Sequence, residues 1–169
     1  MLKPRKKVPS LQVDLINNTH WKIEDQNPEN FTMIVFYRGL HCPICKKQLE
    51  ELASKLNLFV KKGVNVLAVS CDTEEKAKTT GDKWKVPSLP IGYEMTIEKA
   101  REWGLYISTA KDDKEPEHFS EPGIFLIRPD QTLYFSSVQT MPFARPKFDE
   151  ILNAIDYIMK NEYPARGES

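Results

Sequence analysis

Two short apolar runs with a helical stretch between them constrain this chain more than anything else in it. Phe31 to Tyr37 reads FTMIVFY, and Val64 to Ser70 reads VNVLAVS. Each is rich in β-branched or aromatic residues, too short for a helix, and bounded by polar residues or glycine. That is the pattern of a strand buried on both faces. From Pro43 to about Lys62, Leu49, Leu52, Ala53, Leu56 and Phe59 recur at helical spacing, while Lys46, Lys47, Glu50 and Lys61 fall outside the stripe. The spacing predicts an amphipathic helix, and Gly63 stands where a helix-ending glycine belongs. Strand, helix, strand in that order is a parallel β-α-β unit.

The flanking sequence extends this unit. Leu11, Val13 and Leu15 alternate with polar residues, Asn17-Asn18 reads as a turn, and Trp21 and Ile23 alternate again, which predicts an N-terminal β-hairpin. Asp72 or Thr73 can cap a polar helix running to about Trp84. Pro87, Pro90 and Gly92 break the chain, and Ile97 to Trp103 predicts a short helix. Lys111 to Glu117 (KDDKEPE) has no periodicity and predicts an exposed loop. Ile124–Ile127 and Leu133–Val138, joined by Pro129-Asp130-Gln131, predict a second hairpin. Phe148, Ile151, Leu152, Ile155 and Ile158 mark a final amphipathic helix over 147–160. The expectation is an α/β fold with a mixed central sheet flanked by helices. Residues 1–10 are expected to form a basic arm and 11–169 a single domain.

Composition narrows the function. The 169 residues carry 24 Lys+Arg and 24 Asp+Glu, a balance that argues against a nucleic-acid binder. No apolar run approaches the ~20 residues of a membrane span. The basic N-terminus has no apolar segment behind it, as a cleaved signal would require. Three cysteines are too few, and an odd number, for a secreted disulfide scaffold. The expectation is a cytoplasmic protein whose cysteines are reactive, metal-binding or incidental.

The chemistry concentrates at Tyr37–Lys47, YRGLHCPICKK, where a buried strand runs into a helix. Pro43 is placed as a first-turn proline, so Cys42 falls at the N-cap and Cys45 one turn on. Unpaired N–H groups and the positive helix end face Cys42 and favour its thiolate. One turn brings both sulfurs within reach of a single disulfide, a reversible dithiol couple. A CxxC is also half a zinc site, and His41, Cys42 and Cys45 could supply three ligands of four, with His20 or His118 as the fourth. A redox couple is favoured because no second CxxC or CxxH exists and the junction is strand-to-helix. Cys71, at the end of the second buried run, reads as a small half-buried residue. Arg38 and Arg145 are candidate guanidinium partners for a thiolate, and His41 could help hold one.

YRGLHCPICKK, with SEPGIFLIRPDQTLYF and SVQTMPFARP further on, resembles the peroxiredoxin-like branch of the AhpC/TSA group over about Leu11 to Gly167. The resemblance implies a thioredoxin-like fold and antioxidant oxidoreductase activity, the reduction of peroxides or disulfides through cysteine. The sequence departs from the PxxxTxxC motif of better-known peroxiredoxins. In a gap-free register Cys45 falls on their reactive cysteine, Cys42 replaces the Thr and Arg38 the Pro. Pro122 or its neighbours stand where their pocket Arg precedes a strand. In thioredoxins that place holds a cis-proline facing the CxxC, and Pro122 resembles it, which favours a thioredoxin-like disulfide step.

The leading expectation is therefore a thiol oxidoreductase using Cys42 and Cys45. Tyr37, Arg38, His41, Pro43, Pro122 and Arg145 line its pocket, and it needs no metal or organic cofactor. Helix position makes Cys42 the attacking thiol and Cys45 the resolving one. The expected partners are a peroxide or disulfide and an external thiol donor of thioredoxin or glutathione type, with neither nucleic acid nor membrane; a homodimer is compatible. The alternatives are a metal-binding module built on His41, Cys42 and Cys45, and a redox sensor that turns over slowly.

Overall fold

A computed structural model describes residues 1–169. The strands are β1 (Gln12–Leu15), β2 (His20–Lys22), β3 (Phe31–Phe36), β4 (Val64–Val69), β5 (Ile91–Tyr93), β6 (Ile107–Thr109), β7 (His118–Ser120), β8 (Gly123–Ile127) and β9 (Leu133–Val138). The helices are α1 (Pro43–Lys61), α2 (Glu74–Lys83), α3 (Ile97–Glu102) and α4 (Phe148–Asn161), with a 3-10 turn at Ile23–Asp25. Seven strands form one sheet in the order β2-β1-β5-β4-β3-β8-β9, and β6 and β7 form a separate pair. β3, β4 and β5 are parallel, whereas β8 runs antiparallel to β3 and β1 antiparallel to β5. This is the mixed α/β sheet of the thioredoxin-like fold.

β3 lies inside the sheet between β4 and β8, and all six of its residues are buried. Its period-two geometry divides them between two cores. Phe31, Met33 and Val35 join α1 and α4 through Leu49, Leu52, Phe148 and Ile155. Ile34 and Phe36 join Leu11, Trp103 and Phe125 on the other face. A continuous apolar run is what such a strand requires. Cys42 and Cys45 belong to the first core, and half-buried Cys71 packs against the second.

The sequence reading missed three strands. β5 lies where prolines at 87 and 90 broke the pattern, because Ile91–Tyr93 needs only three residues to join β4 and β1. β6 and β7 flank the charged 111–117 segment and pair with each other. Residues 5–8 run beside the start of β9, with the Arg5 N–H donating to the Leu133 carbonyl at 2.8 Å. The expected cis bond at Pro122 is corrected, since every peptide bond is trans. The chain passes from β7 straight into β8, with the Glu121 N–H donating to the Tyr106 carbonyl. No turn interrupts that path, and Pro122, having no N–H, sits just ahead of the strand, where a missing donor is tolerated.

Candidate active site

The site is built where β3 hands over to α1. The Tyr37 N–H is still paired in the sheet, donating to the Val69 carbonyl at 3.1 Å. The chain then turns at Gly39, whose φ of +141° suits glycine. A Cβ there would stand 2.6 Å from Asp72 Oδ1. That close approach lets Asp72 Oδ2 accept from the Leu40 N–H at 2.8 Å, so the carboxylate following β4 fixes the loop following β3. Burial pushes the Asp72 carboxyl up, opposed by the Leu40 hydrogen bond and by Lys76. The Cys42 N–H bonds back to the Gly39 carbonyl at 3.1 Å. Cys42 is the N-cap of α1, in extended conformation, and Pro43 is the first helical residue.

Both sulfurs are out of solvent, Cys42 being 1% exposed and Cys45 0%. Cys42 Sγ accepts from the Cys45 N–H at 3.2 Å, so the thiol occupies the place of a capping oxygen. Cys45 Sγ accepts from the Arg38 N–H at 3.4 Å. Arg145 lies over the pair, its guanidinium 3.2 Å from Cys45 Sγ and 3.9 Å from Cys42 Sγ. Its own place is fixed by Nε donating to the Pro142 carbonyl at 2.7 Å and by a hydrogen bond to Gln48 Oε1. The Cys42 thiol is pulled down to about 6. Hydrogen bonding to Cys45 is the main cause, working against burial, with Arg145 and Arg38 also favouring the thiolate. The Cys45 thiol is pushed up, first by burial and then by its partner sulfur. Arg145 is nearer Cys45, yet the pair's single negative charge belongs on Cys42, because deeper burial and the neighbouring sulfur outweigh the closer guanidinium.

The second arginine is placed differently. The Arg38 Nε lies 3.2 Å from Glu121 Oε2, an ion pair without hydrogen-bond alignment, and another nitrogen 3.7 Å from Glu115 Oε1. Its guanidinium sits 4.7 Å from the Phe119 ring centroid. His41 also packs on Phe119, edge to face at 4.7 Å, and both its ring nitrogens are buried without a hydrogen-bond partner. Burial and Arg38 hold that imidazole towards its neutral form. Tyr37 lies beneath the loop, its ring against Trp84; burial first, and then Asp72 and Cys45, push its phenol up. Pro43 is exposed and Pro122 buried, and neither makes a polar contact with the sulfurs. Burial raises the Cys71 thiol, with Ser120 opposing.

Sequence reasoning missed Asp72 as an anchor, Gln48 as the support of Arg145, and the Glu115, Phe119 and Glu121 group around Arg38. The sequence marks Asp72 only as a possible helix cap. Glu115 lay in a segment read as solvated charge, and nothing in KDDKEPE marks which carboxylate turns inward. No group of three His, Cys, Asp or Glu side chains is arranged to hold a metal ion.

Two cysteines open the helix that follows β3 in a thioredoxin-like sheet. The AhpC/TSA family model matches residues 4–136. A probable 1-Cys peroxiredoxin of Syntrichia ruralis is 25% identical over 154 residues, spanning 88% of this chain and 70% of that protein. Among solved structures, peroxiredoxin 6 of Arenicola marina superposes with a TM-score of 0.78 at 22% identity, covering 96% of this chain and 76% of that one. AhpC of Mycobacterium tuberculosis gives 0.76 at 16%, covering 100% and 99%. The chain belongs to the AhpC/TSA family and is an oxidoreductase of the peroxiredoxin type.

Proposed function

We propose that this chain reduces peroxides by cycling Cys42 and Cys45 between dithiol and disulfide. The observation that carries the proposal is the shared Arg145 over two sulfurs separated by one helical turn, with Cys42 Sγ held on the Cys45 N–H. The Cys42 thiolate attacks the outer peroxide oxygen and the O–O bond breaks. The attacked oxygen keeps its hydrogen, making Cys42 a sulfenic acid, and the departing alkoxide or hydroxide takes a proton from water and leaves as alcohol or water. The Cys45 sulfur then displaces that hydroxyl as water, giving the disulfide. Two thiols of an external donor, of thioredoxin or glutathione type, reduce it and are themselves oxidised. Arg145 favours the thiolate before attack and faces the charge that develops on the departing oxygen.

The placement of charge supports Cys42 as the attacking sulfur. The buried, protonated Cys45 supports its role as resolver, since its proton leaves only when the disulfide forms. Intact mass before and after one equivalent of peroxide tests the reading. Loss of two hydrogens, absent in Cys42→Ser and Cys45→Ser and retained in Cys71→Ser, is expected. A persistent gain of one oxygen on the unmodified chain would place it with proteins that stop at the sulfenic acid. Multiple turnovers with a thiol donor distinguish a peroxidase from a sensor.

A further inference from the structure

Arg38 is the more heavily invested of the two arginines at the site, and nothing in the dithiol cycle uses its partners. Its side chain is 15% exposed, and the carboxylates on it are nearly closed off, Glu115 at 9% and Glu121 at 4%. Glu121 is itself held: Oε1 accepts from Ser108 Oγ at 2.6 Å, and its N–H bonds to the Tyr106 carbonyl at 2.7 Å. Phe119 closes the guanidinium's face. Three charged groups out of water cost several kcal/mol unless tightly paired. An arginine needed only for packing has no cause to be so placed beside a thiolate.

We propose that Glu121 is a positioning residue acting through Arg38, whose backbone N–H donates to Cys45 Sγ at 3.4 Å: it holds the guanidinium beside the cysteine pair and offsets its charge there. The inference rests on the reading that Cys42 and Cys45 are the reacting pair. With Arg145 already spanning both sulfurs, a second uncompensated guanidinium would overstabilise the thiolate. A thiolate loses nucleophilicity as its basicity falls, and attack is fastest when the thiol titrates near ambient pH. Glu121, with Glu115 behind it, balances Arg38 while leaving it beside the pair. The other charged or titratable groups at the pair are Arg145, His41, Tyr37 and Asp72, and the Glu121 substitutions leave each of them intact.

The test is the pH profile of iodoacetamide labelling at Cys42, read by peptide mass. In Glu121→Gln the amide oxygen still meets Arg38 but the charge is gone. The midpoint should fall by at least half a unit, so labelling at pH 5 rises about threefold. Glu115→Gln, more distant, should move it the same way by less. Arg38→Met should raise the midpoint, and adding Glu121→Gln to Arg38→Met should move it no further. A Glu121→Gln midpoint that does not move, whatever happens to the melting temperature, overturns the proposal. So does a shift that persists in full on the Arg38→Met background, since Glu121 would then act on the sulfur directly. The Glu115→Gln profile keeps the question open to test should Glu121→Gln fail to fold. Failure of the unmodified chain to lose two hydrogens with peroxide would instead sink the dithiol reading itself.

Discussion

Two of the turns from a parallel strand into a helix lie side by side, after β3 and after β4, and solve the same problem in two ways. After β3 the chain enters α1 through Cys42, whose sulfur accepts from the Cys45 N–H. After β4 it enters α2 through Thr73, whose hydroxyl accepts from the Lys76 N–H at 3.3 Å. Both caps are extended and both satisfy a donor the helix leaves free. A hydroxyl does this as a neutral acceptor. A thiol is a weak acceptor until it ionises, so a sulfur at this position ties helix capping to the charge on Cys42. The surroundings differ to match: two arginines flank α1's start, whereas α2's first turn carries Glu74 and Glu75, which complement the helix dipole. One junction is capped by a neutral hydroxyl and the other by a titratable sulfur.

The comparison breaks most sharply at the cysteines. Cys42→Ser restores a hydroxyl cap like that of α2 and should leave the fold intact, yet peroxide turnover should fall by more than about 10³-fold. Cys45→Ser should prevent disulfide formation, while Cys71→Ser, in the opposite core, should retain most of the activity. Steady-state turnover with a thiol donor, beside melting temperatures, checks all three. Equal losses from Cys71→Ser would mean that the β4 junction also takes part in the chemistry.

Arg145→Met removes the guanidinium from both sulfurs and should lower turnover by about 10²-fold, the usual cost of losing one preorganised charge-stabilising donor. It should also raise the midpoint of thiol labelling. Turnover within a few-fold of the parent would show that the helix end suffices on its own.

Gly39→Ala addresses what joins the junctions. The new Cβ would meet the Asp72 carboxylate at 2.6 Å in a backbone conformation that favours glycine, so the loop must separate from Asp72. A loss of about 2–4 kcal/mol in denaturant unfolding is expected, with a fall in activity as the Leu40 anchor is lost. Unfolding within about 0.5 kcal/mol of the parent would show that the two junctions are independent.

Stability should also distinguish the caps by pH. Cys42 titrates lower folded than unfolded, at about 6 against an ordinary value of 9.0. A depressed value stabilises above the unfolded value, and that contribution is lost as pH falls through the folded one. The reduced protein should therefore gain stability between about pH 6 and 9. Above that window Cys45 works in the other direction, because its raised value favours the protonated folded form. Urea midpoints across this range should rise for the parent and stay flat for Cys42→Ser.

How much of this was legible depends on whether the cause is local. The central strands, α1 and the Cys42 cap follow from periodicity, Pro43 and one turn of helix, all contained within a few residues. The dithiol and Arg145 could be nominated for the same reason, since residue type and motif suggest them without coordinates. Asp72 under Gly39 and Glu121 on Arg38 join positions 33 and 83 residues apart. Their meaning lies in which carboxylate the fold turns inward, and Glu115 among the charges of 111–117 carries no mark of it. Short strands such as β5 are equally silent, because three residues hold too few alternations to establish a period. The proline failed differently: the likeness to thioredoxins suggested a cis bond, but the chain runs from β7 into β8 with every peptide bond trans.

The smallest expected effect is at the quieter junction. Thr73→Ala removes the acceptor for the Lys76 N–H and leaves that donor to solvent at an exposed helix start. Loss of such a cap costs about 1 kcal/mol, here with no change in cap charge, so the loss should be independent of pH between 6 and 9. Peroxide turnover and the labelling midpoint should match the parent, because the Leu40 anchor belongs to the Asp72 side chain rather than to the cap. Urea unfolding at several pH values beside the labelling profile measures both. If Thr73→Ala moves the thiol midpoint, disorder at the start of α2 reaches the cysteines through Asp72, and the junctions form one unit in which stability and reactivity cannot be separated.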